Sequence, residues 1–66
     1  MRINRKKLAA LMIDKDFNAN RLSEQSDLSR VTVSGIRTGK SCSKETVEKI
    51  ARALNVDPAE LLEDSQ

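Results

Sequence analysis

The stretch from Phe17 to Gly39 leaves the chain few options. Asn18 opens a helix, because its side-chain oxygen can accept from a free backbone N–H of the first turn. Leu22 and Ser26 fall one turn apart and share a face. Asp27 then supplies a turn, since Asp tolerates positive φ better than most side chains. Leu28 is apolar just before the next cap, the place of a hydrophobic staple, and Ser29 is that cap. Val33 and Ile36, three apart, both face inward, and Gly39 ends the second helix at its C′ position. Two short helices, 18–26 and 29–38, joined by a tight turn follow from this. The outward residues of the second are Arg30, Val31, Thr32, Ser34, Gly35, Arg37 and Thr38, which include no carboxylate. Such a face suits a major groove with phosphates on either side.

The 66 residues make a single domain, 1–66, with a modest core. One Phe and no Trp or Tyr make that core aliphatic. No window approaches the roughly 18 apolar residues of a membrane span. The basic start at 1–7 is followed by Asp14, Lys15 and Asp16 rather than a signal-peptide run, so a cytoplasmic protein with no membrane association is expected. Cys42 is the single cysteine and there is no His. That leaves no internal disulfide, argues against a zinc site and removes the Ser-His and Cys-His pairings of nucleophilic catalysis. Neither an enzyme nor a metal or cofactor is expected. Residues 1–40 hold nine Lys/Arg and four Asp/Glu, a charge of +5, whereas 41–66 hold three and six, a charge of −3. The asymmetry fits a polyanion footprint on one side as well as it fits an ordinary solvated surface.

Around the central motif the spacing predicts three more helices. Leu8, Leu11 and Met12 give residues 4–15 an apolar face, with Asn4 a cap and Asp16 the end. Residues 39–42 form a short loop. Ser43 caps a helix that runs to Leu54, with Val47, Ile50, Ala51 and Leu54 as its stripe and Asn55 after it. Asp57-Pro58-Ala59-Glu60 combines an acidic cap, Pro at N1 and Glu at N3, which predicts a fifth helix over 58–63. Residues 63–66 are expected to fray and 1–6 to form a basic arm or an unstructured tail. No sheet is expected. The result is an all-α, compact five-helix domain. Its core is Leu8, Leu11, Met12, Phe17, Leu22, Leu28, Val33, Ile36, Val47, Ile50, Ala51, Leu54, Val56 and Leu61.

The motif at 18–38 resembles the lambda-repressor-like (Cro/Xre-type) helix-turn-helix regulators. Ser23 stands where that family usually has Ala, Asp27 where it has Gly, Val33 and Ile36 at its two inward aliphatics, and Gly39 at its following Gly. The resemblance covers roughly residues 7–62. It implies that Arg30, Val31, Ser34 and Gly35 meet base edges, Arg30 through guanine O6 and N7 and Val31 through a thymine methyl. Gly35 either admits close backbone approach to DNA or is a tolerated small residue. Phosphate contacts are implied for Asn18, Ala19 and Asn20 at a helix start, and for Ser29, Thr32, Arg37, Thr38, Lys40 and Ser41. The chain departs from the family at Ala19, where Gln is common. Met12 and Arg37 stand where an Arg–Glu pair is usual, so both halves of that pair are missing together. Cys42 stands where Pro is frequent and is either a redox-sensitive thiol or a plain loop residue.

These features point to a regulator of transcription, a repressor by the commoner mode of the family, that binds double-stranded DNA as a homodimer on a two-fold operator. Val56, Ala59 and Leu62 are the apolar candidates for the dimer interface. An antitoxin-like module, holding another protein and binding DNA secondarily, is the alternative.

Overall fold

The computed structural model describes residues 2–62. Four α-helices follow one another: α1 Arg5–Asp14, α2 Ala19–Ser26, α3 Arg30–Arg37 and α4 Lys44–Leu54. A single 3-10 turn, Pro58–Glu60, comes after them. Every α-helix opens on a side-chain cap. Asn4 accepts from the N–H groups of Lys6 and Lys7, Asn18 from Arg21, Ser29 from Thr32 and Ser43 from Thr46. Each cap satisfies N–H donors that the helix itself leaves open.

The helices also end alike. Asp16, Asp27, Gly39 and Asn55 have φ of 59°, 59°, 100° and 59°. In each case the next residue returns its N–H to a carbonyl five residues back. Phe17 bonds Met12 at 2.7 Å, Leu28 bonds Ser23 at 3.2 Å, Lys40 bonds Gly35 at 3.1 Å and Val56 bonds Ala51 at 2.9 Å. This is the long bond of a Schellman ending, which turns the chain sharply and satisfies a late carbonyl.

Among the described residues the expected fifth helix over 58–63 is absent, and the 3-10 turn stands in its place. After the 3-10 turn, the Leu61 C=O accepts from Asn4 N–H at 2.7 Å, and Leu62 makes an isolated antiparallel bridge with Ile3. The chain therefore leaves helical geometry at Leu62, because its backbone is bonded to the N-terminal segment instead of to a further turn. The capping box forms as read, with Asp57 accepting from Ala59 N–H and Glu60 accepting from Asp57 N–H. It starts a turn that the tertiary contacts stop. Glu63 and the tail at 63–66 lie outside the described residues.

The core contains Ile3, Leu8, Met12, Leu22, Val33, Ile36, Val47, Ile50, Ala51, Leu54 and Leu61, with Leu11, Phe17, Leu28 and Val56 packed partly buried against it. α2 packs on α4 and α3, and α1 reaches α3. Ile3, read from sequence as part of a basic arm, is 1% exposed. It sits between two bridges, Arg2 to Ser41 and Ile3 to Leu62. α1 begins at Arg5, so the arm is anchored through its apolar residue. These bridges tie the N-terminal segment to the loop after α3 and to Leu62 without forming a strand among the described residues.

Candidate nucleic-acid interface

The inward side of α3 is settled by Val33 and Ile36, 0% and 3% exposed. That fixes what must face out. Arg30, Val31, Thr32, Ser34, Arg37 and Thr38 are all exposed, and Gly35 is half-buried. Val31 is 83% exposed, which leaves its methyls free for an apolar contact. The missing ion pair works out as its chemistry requires: Met12 is buried in the core and Arg37 is exposed.

An open concavity of about 730 Å³ runs along this face. It brings together Ala19, Arg30, Val31, Ser34, Gly35, Arg37, Thr38 and Lys40. The four residues read as base-contacting thus share one surface with the start of α2. A second depression lies on the other flank of α3, where Thr32, Ser41, Ser43 and Thr46 add hydroxyls. Asn18 and Asn20 are exposed at the start of α2, outside the lining of either. Asn18 uses its side chain to cap Arg21 at 2.7 Å. Of the start of α2, Ala19 lines the concavity, so the N-terminal end of that helix, where the dipole is positive, borders it.

Three hydroxyl sets on this surface are already committed within the protein, one being the Ser43–Thr46 pair at 3.0 Å. Thr38 Oγ1 donates to Gly35 C=O at 2.7 Å. The Ser29 and Thr32 hydroxyls hydrogen-bond each other at 2.8 Å, so one proton of that pair is used and one is left to donate outward. Ser34 and Ser41 are exposed. Cys42 is half-buried beside Ser41, and burial pushes its thiol pKa up, which disfavours the reactive thiolate.

Sequence inspection overlooked Arg21. Its guanidinium lies over the Phe17 ring, 5.0 Å from the centroid, and holds a cation at the exposed start of α2. The signal was present as an aromatic and an Arg four residues apart. Val56 and Leu62 are half-buried and Ala59 is exposed, and the Leu62 C=O accepts from the Lys7 ammonium at 3.2 Å. Among the described residues no group of His, Cys, Asp and Glu is placed to hold a metal ion. No helix among them is long and apolar enough to cross a membrane.

Known structures share this architecture. A mutant of hydroxyethylphosphonate dioxygenase superposes with a TM-score of 0.87 at 24% identity over 100% of this chain, which spans 14% of that one. PhpD with cadmium gives 0.84 with the same identity and coverage. At those identities the likeness concerns the fold, and this chain matches only a small part of either protein. The restriction-modification controller protein C.AhdI from Aeromonas hydrophila is 30% identical, with a TM-score of 0.82 over 88% of this chain and 89% of that one. No curated protein sequence matches significantly. The family model of the Cro/C1-type helix-turn-helix DNA-binding domain matches residues 7–66. With α2 and α3 as its motif, a capped tight turn between them and an outer face of α3 free of carboxylates, the chain belongs to the Cro/C1-type helix-turn-helix DNA-binding domains.

Proposed function

We propose that this protein is a sequence-specific transcriptional regulator, most simply a repressor acting in the cytoplasm, which places α3 in the major groove of double-stranded DNA. The observation that carries this is the outer face of α3: exposed Arg30, Val31, Ser34 and Arg37 around half-buried Gly35, with no carboxylate to repel phosphate. Arg30 stands at the first position of the helix, where a side chain reaches base edges. A guanidinium forks onto guanine O6 and N7, and Val31 packs on a thymine methyl. Ser34 donates to a base edge and Gly35 lets the helix approach closely. Ala19 and Asn20 offer their amides, and Asn18 its exposed side chain, to one phosphate run. Arg37, Ser41 and the spare hydroxyl of the Ser29–Thr32 pair serve the other, with Thr38 joining only by turning its hydroxyl away from Gly35. The likeness to C.AhdI, a controller protein of restriction-modification, supports regulation as the setting.

A single small domain presents a limited footprint, and a two-fold dimer doubles it. Homodimerisation through Val56, Ala59 and Leu62 would set two copies of α3 about one helical turn of DNA apart. The test is selection from a randomised duplex library near physiological salt. Enrichment of an inverted repeat by the protein, lost for Arg30→Ala, is the expected result. A folded protein that enriches nothing would overturn the reading and turn attention to a protein partner.

A further inference from the structure

We infer that Gly35 and Lys40 act as one unit that sets sequence preference, with the Lys40 ammonium on the base-reading face and not on the phosphate rail beside it. Gly35 has no side chain, and that vacancy is filled. A Cβ built on Gly35 would lie 3.2 Å from Lys40 Cδ and 4.0 Å from Cγ. The lysine stem thus crosses the outer surface of α3 where a residue-35 side chain would stand. The backbone aims it there: Lys40 N–H donates to Gly35 C=O at 3.1 Å, and Gly39 N–H to Ile36 C=O at 3.0 Å. Gly39 permits this return with its φ of 100°. A Schellman ending commonly brings an apolar side chain at the residue after the turn onto the residue five earlier. Here the aliphatic stem of a lysine takes that place, and its charged end stays in solvent.

The position of that stem is central rather than peripheral. Gly35, Lys40 and Val31 are the residues common to the concavity that holds Arg30 and Ser34 and to the depression on the other flank of α3. Lys40 therefore lies along the ridge between them, beside Val31 and Gly35 of α3 and not at the outer rim of either hollow. A cation there meets guanine O6 and N7, whereas a cation at the rim would meet phosphate.

The inference rests on α3 reading DNA, and the test separates the two. The binding constants of the protein, Lys40→Ala, Gly35→Ala and the double variant are measured on the selected duplex, on every single-base-pair change of its half-site, and at several salt concentrations. Gly35→Ala is the variant that keeps the fold: the atom in its way is near the end of a flexible side chain, and Ala favours a helix interior over Gly. Lys40→Ala is expected to lose about tenfold discrimination at one base pair and to leave the other positions unchanged. Gly35→Ala displaces the stem and loses discrimination at the same pair, and the double variant loses no further discrimination at that pair than Lys40→Ala, whatever uniform affinity the added Cβ costs. A uniform loss across all duplexes for Lys40→Ala, with a salt slope shallower by about one, would place Lys40 on a phosphate and overturn the inference. Gly35→Ala with unchanged discrimination would overturn it as well. If the unaltered protein selects no sequence at all, the DNA-reading function fails and this inference fails with it.

Discussion

The two helices of the helix-turn-helix end on one backbone device used for opposite purposes. At Asp27 the chain turns through the left-handed region, and the residue after it, Leu28, packs against the core. At Gly39 the chain turns the same way, but the residue after it, Lys40, stays exposed and crosses the outer face of α3. The first turn is clasped from both sides: Ser23 C=O accepts from Leu28 N–H at 3.2 Å, and Ser23 Oγ donates to Leu28 C=O at 2.6 Å. It fixes how α3 leaves α2. In the second the side-chain bond is Thr38 Oγ1 to Gly35 C=O at 2.7 Å, within the closing turn of the helix, and the reversal delivers a cation to the surface. The difference teaches that a Schellman ending specifies only the reversal of the chain. The chemistry of the following side chain decides whether that reversal builds the core or the binding face.

The sharpest way to separate a core role from a face role is to shorten a side chain of each kind. Leu22, 0% exposed, should cost about 2–5 kcal/mol on change to Ala, because a cavity adds to the lost transfer energy. Val31→Ala should alter stability by less than about 0.5 kcal/mol, since the side chain is already in solvent. Urea midpoints of the two variants check this, and equal losses would refute the assignment of Leu22 to the core and of Val31 to the outer face of α3.

The turns themselves should respond in opposite directions. Gly39→Ala places a Cβ at φ 100° and should destabilise by more than about 1 kcal/mol. Asp27→Gly relieves a left-handed residue and should be neutral or stabilise by up to about 1 kcal/mol. Thermal unfolding of both reports the pair of signs. The clasp is worth less. Ser23→Ala removes the bond to Leu28 C=O and should cost about 1 kcal/mol, while leaving DNA discrimination unchanged because Ser23 does not line the binding face.

The smallest effect concerns Cys42. Its pKa is raised by burial, so the folded state favours the neutral thiol over the thiolate. Alkylation at pH 8 should be slower in the folded protein than in urea. The sign for stability follows from the same shift. The folded protein holds this proton more tightly than the unfolded chain, so a small stabilising contribution is present below the unfolded thiol pKa, about 8.5, and is lost as pH rises through the folded value. Alkylation faster in the folded state would restore the redox-sensitive reading of this thiol.

Most of the architecture was legible because it is written in local chemistry. Five caps and four chain reversals fall at residues whose side chains favour them: Asn4, Asn18, Ser29, Ser43 and Asp57 open elements, and Asp16, Asp27, Gly39 and Asn55 close them. What escaped was set by contacts between distant parts of the chain. Ile3 has no periodic partner nearby and is buried by bridging to Leu62. The same contact stops the 3-10 turn before it becomes a helix, although the capping box is formed. In the binding face, the residues of α3 could be named from helical spacing. The seat of Lys40 on Gly35 could not, since it depends on a chain reversal that brings residues five apart into contact.

The most direct test of α3 as the reading helix is a titration of the isotopically labelled protein with the selected duplex, followed by backbone amide chemical shifts. The expected result is a footprint confined to the start of α2 and to residues 29–41, with Ala19, Arg30, Val31, Gly35 and Lys40 moving most. A footprint on the outer side of α1, around Ile13, with α3 unmoved, would contradict the account.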